Sequence, residues 1–146
     1  MTDQKTDMVN HPPHYTTGGI EVIDFIDFMV NDPADYYIGN VVKYLSRAGK
    51  KGDAVEDYRK ARWYLERLYK KYKNRWARSA VHVISIEFII RSANHYCLTK
   101  GLPRGAAKAL IYIKRAADSL DAGWLPVALA ELDELIEQEV KDGHSV

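Results

Sequence analysis

Asn40, Lys43, Arg47 and either Lys50 or Lys51 recur at i, i+3, i+7 and i+10 or i+11, a spacing that lines them on one helical face. Like charges in such a row repel unless anions meet them. Arg offers a planar fork to phosphate and Lys a point charge, so the row suits a phosphate-bearing ligand. Asn40 and Tyr44 stand where they can address its base or sugar. A solvated basic face explains the same pattern, because Lys and Arg near a helix C-terminus complement the macrodipole. Gly39 speaks against the plainer reading: it costs about 1 kcal/mol relative to Ala inside a helix, which points to a close approach by a neighbouring helix or a ligand.

Three further groups can carry chemistry. In His11-Pro-Pro-His14-Tyr15 the prolines hold the arm extended, His14 can act as acid, base or phosphate ligand near neutral pH, and Tyr15 can stack. No third or fourth ligand accompanies the two histidines, so a metal there is disfavoured. Glu21 and Asp24, at i and i+3, can take a sugar hydroxyl, Mg²⁺ or a proton, or simply favour a helix start. Asp57, Lys60, Ala61 and Tyr64 share a face on which Asp57 can order Lys43 or Arg47 across a helix pair. Glu87, Arg91 and His95 read as a salt-bridged face, and Glu131, Glu134 and Glu137 as a solvated acidic one. All-helical nucleotide pyrophosphohydrolases hold Mg²⁺ with Glu-x-x-Glu sets, but a second such set is missing.

Neither Gly-x-x-x-x-Gly-Lys-[Ser/Thr] nor Gly-x-Gly-x-x-Gly occurs, so any phosphate must meet side chains on helices. The formal net charge of +1 gives no strong case for nucleic acid and makes any basic function local. Ten tyrosines and three tryptophans can stack on bases, though a core role is favoured. One cysteine, Cys97, excludes an internal disulfide and reads as a small buried hydrophobe. Met1–Asn10 does not look like a signal peptide, and the most apolar run, Ala80–Ile90, is too short to span a bilayer. A soluble, cytoplasmic protein without a membrane partner is expected.

The elements that must position these residues are helices. Residues 1–19 read as an extended arm, 20–73 as a helical region carrying the candidate site, and 75–146 as a C-terminal helical region for packing or oligomerisation, all in one compact unit. The predicted fold is an all-α bundle of five to six helices. Ile20, Ile23, Phe25, Ile26 and Met29 form an apolar stripe on the first helix. Asp32 caps and Pro33 opens the second, near 34–48, which Gly49 stops. Asp53 caps the third, to about Lys73, with Glu56 completing a capping box. A break near Asn74 leads to a fourth helix from Arg75 to Thr99. A fifth spans Arg104–Ala122, with Gly123 as its stop, and a sixth runs from about Leu125 to Asp142.

Four motifs occur in order: His14-Tyr15; Gly19-Ile-Glu21-x-x-Asp24; Gly39-Asn40-x-x-Lys43-Tyr44-x-x-Arg47-x-x-x-Lys51; and Glu56-Asp57-x-x-Lys60-Ala61-x-x-Tyr64-Leu65. Over about residues 10–70 they resemble the phage P-loop-less deoxynucleoside monophosphate kinase family, often labelled as phage proteins of unknown function. The resemblance implies phosphoryl transfer from a nucleoside triphosphate to a deoxynucleoside monophosphate, in a homo-oligomer in the host cytoplasm. It implies catalytic roles for His14, Lys43, Arg47 and Asp57. Nucleotide-binding roles fall to Tyr15, Glu21, Asp24, Asn40, Lys51 and Lys60, to which the spacing adds Tyr44 and Lys50, with no metal ligands and no certain cofactor, although Mg²⁺ is compatible. Two alternatives stand beside it: a non-catalytic nucleotide or cyclic-nucleotide sponge or sensor, and an all-α pyrophosphohydrolase.

Overall fold

The computed structural model describes residues 9, 10, 12, 15, 19, 21–76 and 85–143. Among these residues six α-helices are described in chain order: α1 (Val22–Met29), α2 (Pro33–Arg47), α3 (Ala54–Tyr72), α4 (Ile86–Lys100), α5 (Arg104–Ser119) and α6 (Leu125–Lys141). A 3-10 turn at Ala122–Trp124 joins the last two. No strand occurs among the described residues, and the chain is an all-α bundle. No helix among them is long and apolar enough to cross a membrane.

The starts of α2 and α3 follow the expected chemistry. Asp32 accepts from the Ala34 N–H at 3.0 Å, with Pro33 in the first turn. The Tyr72 hydroxyl, from the far end of α3, donates to the same carboxylate at 2.5 Å and accepts from the Ala34 N–H at 3.1 Å. The α2 cap is thereby tied to α3. Asp53 accepts from the Val55 N–H at 2.9 Å, while Glu56 pairs with Lys60.

Two boundaries differ from expectation. The fourth helix starts at Ile86, not Arg75: Ser85 caps it by accepting from the Phe88 N–H at 3.2 Å. Residues 77–84 lie outside the described residues, and the lack of Pro or Gly there left the boundary invisible in the sequence. The fifth helix ends at Ser119, where Leu120 turns left-handed (φ 50°) and the Asp121 N–H reaches back to the Ala116 carbonyl at 3.0 Å. Gly123 is not its stop. It sits in the 3-10 turn, its N–H donating to Asp121 Oδ1 at 3.0 Å.

Helix α3 is central, packing on α2 and on α6, while α5 packs on α6 and α4 on α5. One apolar core joins them: Tyr37, Val41 and Leu45 from α2, Leu65 and Leu68 from α3, Ile113 from α5 and Leu132 from α6. At Gly105 an added Cβ would stand 2.9 Å from Leu135 Cδ2, so α5 meets α6 where glycine leaves room. Cys97 is buried, as expected of a small hydrophobe.

The first helix departs most from its reading. None of its residues is buried. Ile23 and Ile26 turn inward and are half-covered, but Phe25, Phe28 and Met29 are exposed. The single apolar stripe is therefore divided between two faces, and Ile20 lies outside the described residues.

Candidate functional site

The helix pair α2/α3 brings an aromatic group together. Tyr44 of α2 stacks on Tyr64 of α3, with centroids 6.0 Å apart and planes 17° apart. Tyr36 meets Tyr64 edge-on at 6.1 Å, and Trp63 does so at 5.0 Å. These rings wall a cleft of about 170 Å³ that Val22, Ile23 and Ile26 of α1 and the flanking Glu21 close from the other side. Tyr15, turned back by its N–H bond to the Pro12 carbonyl at 2.9 Å, also lines it. The cleft is smaller than the roughly 300 Å³ at the lower end of ligand pockets, so it has room for a ring such as a base rather than a whole nucleotide.

Three cations gather around one ring of this group. Lys43 Nζ lies 4.6 Å, the Arg47 guanidinium 5.1 Å and Lys60 Nζ 5.7 Å from the Tyr44 centroid. With Tyr64 on one face and cations around it, Tyr44 serves as a seat for positive charge. Arg47 is aimed by Asp57, whose Oδ1 accepts from Nη2 at 2.6 Å and Nε at 3.1 Å. That side chain keeps 40% of its surface exposed, so the rest of its fork faces solvent. Lys60 pairs with Glu56 at 2.6 Å. Lys43 is exposed and has no carboxylate partner among the described residues. Burial, with Tyr36 and Tyr44 close by, pushes the Tyr64 phenol well above its ordinary value, so it stays protonated and is no general base.

Residues 9–66 match the family model described as "Protein of unknown function (DUF3310)". No curated protein and no solved structure matches the chain. The matched span covers 58 of the 146 residues and contains the whole aromatic group and all three cations, ending one residue short of Arg67.

The expected site residues fall into distinct places. Tyr15, Glu21, Tyr44 and Lys60 line the cleft, and Lys43 and Arg47 flank Tyr44. Asp57 is 2% exposed, which removes it from direct contact with a ligand and makes it a partner that orients Arg47. Its Oδ2 is buried without a hydrogen-bond partner among the described residues. Asn40 is buried and donates to the Tyr36 carbonyl at 2.9 Å, so it steadies the helix and does not address a base. Lys50 reaches the Lys100 carbonyl at 2.7 Å and caps the C-terminus of α4 instead of joining the cation group. Lys51 is exposed in the loop after α2. Asp24 points to Arg67 at 2.7 Å, away from the cleft chemistry expected of it. His14 lies outside the described residues. A Cβ at Gly39 would meet nothing within 4 Å, so the close approach expected there is not made by the described residues.

Tyr36 and Trp63 were absent from the sequence reading, as was a second ionic group at the back of the cleft. Its sequence signals are Asp24 with Asp27 at i, i+3 and Arg67 with Lys71 at i, i+4. Asp27 accepts from the Tyr37 hydroxyl, from Arg67 Nη2 at 2.8 Å and from Lys71 at 3.2 Å. Burial raises its pKa, but these hydrogen bonds outweigh that and hold the carboxyl below its ordinary value. Among the described residues no group of three His, Cys, Asp or Glu side chains is placed to hold a metal.

Proposed function

We propose that this chain handles nucleotides, and that its activity is phosphoryl transfer from a nucleoside triphosphate to a deoxynucleoside monophosphate. The observation that carries the reading is the gathering of Lys43, Arg47 and Lys60 within 6 Å of Tyr44, at the edge of a cleft sized for a ring. A base enters among Tyr36, Trp63 and Tyr64, and the phosphate lies outside, against the cations. Phosphoryl transfer asks the protein mainly for positioning and charge neutralisation. Lys43 exposed, Lys60 paired with Glu56 and Arg47 aimed by a buried carboxylate together offer both. The kinase step and the homo-oligomer come from the resemblance of residues 10–70 to the P-loop-less kinases, so both belong to this proposal.

The test is to incubate the purified chain with labelled deoxynucleoside monophosphate and nucleoside triphosphate, with and without Mg²⁺, and to separate the products by chromatography. Labelled diphosphate supports the kinase. Unchanged but bound nucleotide replaces it with a sponge or sensor, and pyrophosphate released from the triphosphate replaces it with a hydrolase. Lys43→Ala is expected to weaken monophosphate binding at least tenfold, and it strands no carboxylate among the described residues. Unaltered affinity in that variant removes the basis of the reading.

A further inference from the structure

We infer that α1 is a gate on the aromatic cleft, latched by the ionic group around Asp27, and that a nucleotide's base enters only when the latch lets α1 move. The inference rests on the reading of the cleft as a nucleotide site.

The first ground is how weakly α1 is otherwise held. A helix of eight residues is too short to be stable alone in water, and no apolar residue of α1 is buried. Its inward apolar contacts are the half-covered Ile23, which rests on the edge of the core, and Ile26, both of them cleft walls. Its firm attachments are polar. Asp27, with a side chain 9% exposed, takes hydrogen bonds from Tyr37 of α2 and from Arg67 and Lys71 of α3, and Asp24 takes another from Arg67.

The second ground is size. At about 170 Å³ the cleft as it stands admits a ring, and α1 forms one wall of it. A base that fills a space of this size, its sugar phosphate outside against the cations, enters and leaves past that wall. The walls supplied by Tyr36, Tyr44 and Tyr64 belong to helices anchored in the core, so α1 is the side free to yield.

The third ground is a physical link between latch and cleft. Arg67 holds both acids of α1, donates to the Tyr37 hydroxyl at 3.0 Å and lies 5.8 Å from the Trp63 ring. Trp63 is itself a cleft wall. When α1 leaves, Arg67 loses its carboxylates and its position over Trp63 is no longer fixed. Latch and cleft are thus coupled through one side chain, a two-state element that both the ligand and the ions bias.

Amide hydrogen exchange on the full-length chain tests this. In Asp27→Asn the segment 21–30 is expected to exchange at least tenfold faster than in wild type, with α5 and α6 unchanged as the internal control for folding. Lys71→Met, which leaves the core untouched, should show a smaller increase in the same segment. A saturating deoxynucleoside monophosphate, its binding established separately by calorimetry, should slow exchange of segment 21–30 in wild type. Unchanged exchange of that segment in both variants overturns the latch. Calorimetric binding without slower exchange there overturns the coupling to the ligand. Absence of calorimetric binding overturns the nucleotide reading instead, and the effect of the two variants on the ligand-free protein then still reports whether α1 is latched by these ions.

Discussion

None of the eight residues of α1 is buried, whereas α5 buries Ala106, Ala107, Ala109, Ile113 and Ala116 along a single face. The α5/α6 hairpin closes on small side chains, with Gly105 letting Leu135 in and Leu125, Ala128 and Leu132 completing the seam. Close packing of this kind has no intermediate position, because moving a helix by an ångström forfeits many contacts at once. An ionic contact across a partly wet boundary can be broken and remade at small net cost, since water takes over the charges. The difference teaches where to look for motion: the cleft is built on one wall of each kind.

The largest expected effect lies on the packed side. Leu132→Ala empties a fully buried site where α6 meets the core, and should cost about 2–5 kcal/mol, lowering the calorimetric melting temperature by roughly 5–15 °C. Ile23→Ala on α1, half-covered, should cost less than about 1 kcal/mol by the area it hides. Equal losses in the two variants would break the comparison.

The Arg47–Asp57 pair sharpens it from the other direction, being ionic yet not gate-like. Asp57 is buried, and its Oδ2 has no hydrogen-bond partner among the described residues. Arg47→Ala strands that carboxylate and should cost about 1–3 kcal/mol of stability. On the nucleotide reading Arg47→Ala also weakens binding, and this is best measured in Arg47→Ala/Asp57→Asn, in which denaturant unfolding should recover part of the stability loss while binding stays weak. A double variant no more stable than Arg47→Ala would mean that Asp57 is not stranded.

How much of this was legible in the sequence follows the same division. Caps speak locally, so Asp32, Pro33 and Asp53 marked the starts of α2 and α3 to within a residue. Lys43 and Arg47 were visible as one row and Lys60 as part of a separate face, because both helices follow the 3.6-residue period, but their meeting around Tyr44 was not. Depth was not visible. Spacing places Asn40 and Asp57 on the right faces but cannot tell a ligand-facing side chain from one turned into the neighbouring helix, and both proved buried. Lys50 was drawn off by the carbonyl of Lys100, a partner 50 residues away. The latch was hidden for the same reason: Asp27 and Arg67 are 40 residues apart and only the packing of α1 joins them.

Acid should undo the latch selectively. The carboxyl of Asp27 is held below its ordinary value of 3.8 by Tyr37, Arg67 and Lys71, against the effect of burial. A depressed folded-state pKa contributes stability that is fully present above the unfolded value and lost as pH falls through the folded one. Tyr37 and Arg67 keep their protons throughout this range, and Asp24 beside them is a second, exposed carboxylate. On acidification below about pH 4, protection of segment 21–30, corrected for intrinsic exchange rates, should fall before the helical circular-dichroism signal does. Simultaneous loss of both would place α1 in the same cooperative unit as the hairpin and erase the contrast between them.

The smallest expected effect concerns a strain that the hairpin carries. Leu120 adopts φ 50° at the end of α5, the left-handed region that costs a leucine about 1–2 kcal/mol. It is held there by the Asp121 N–H bond to the Ala116 carbonyl and by the helices on either side. Its side chain is about half exposed, so little packing is lost on removal. Leu120→Gly relieves the strain, offset by the extra backbone entropy of glycine, about 0.5–1 kcal/mol. A net gain of a few tenths to about 1 kcal/mol is expected in denaturant unfolding. A strained turn persists where the surrounding packing over-determines it, which the hairpin provides and α1 does not. A loss of stability in Leu120→Gly would show instead that the leucine side chain, not the seam, fixes the turn.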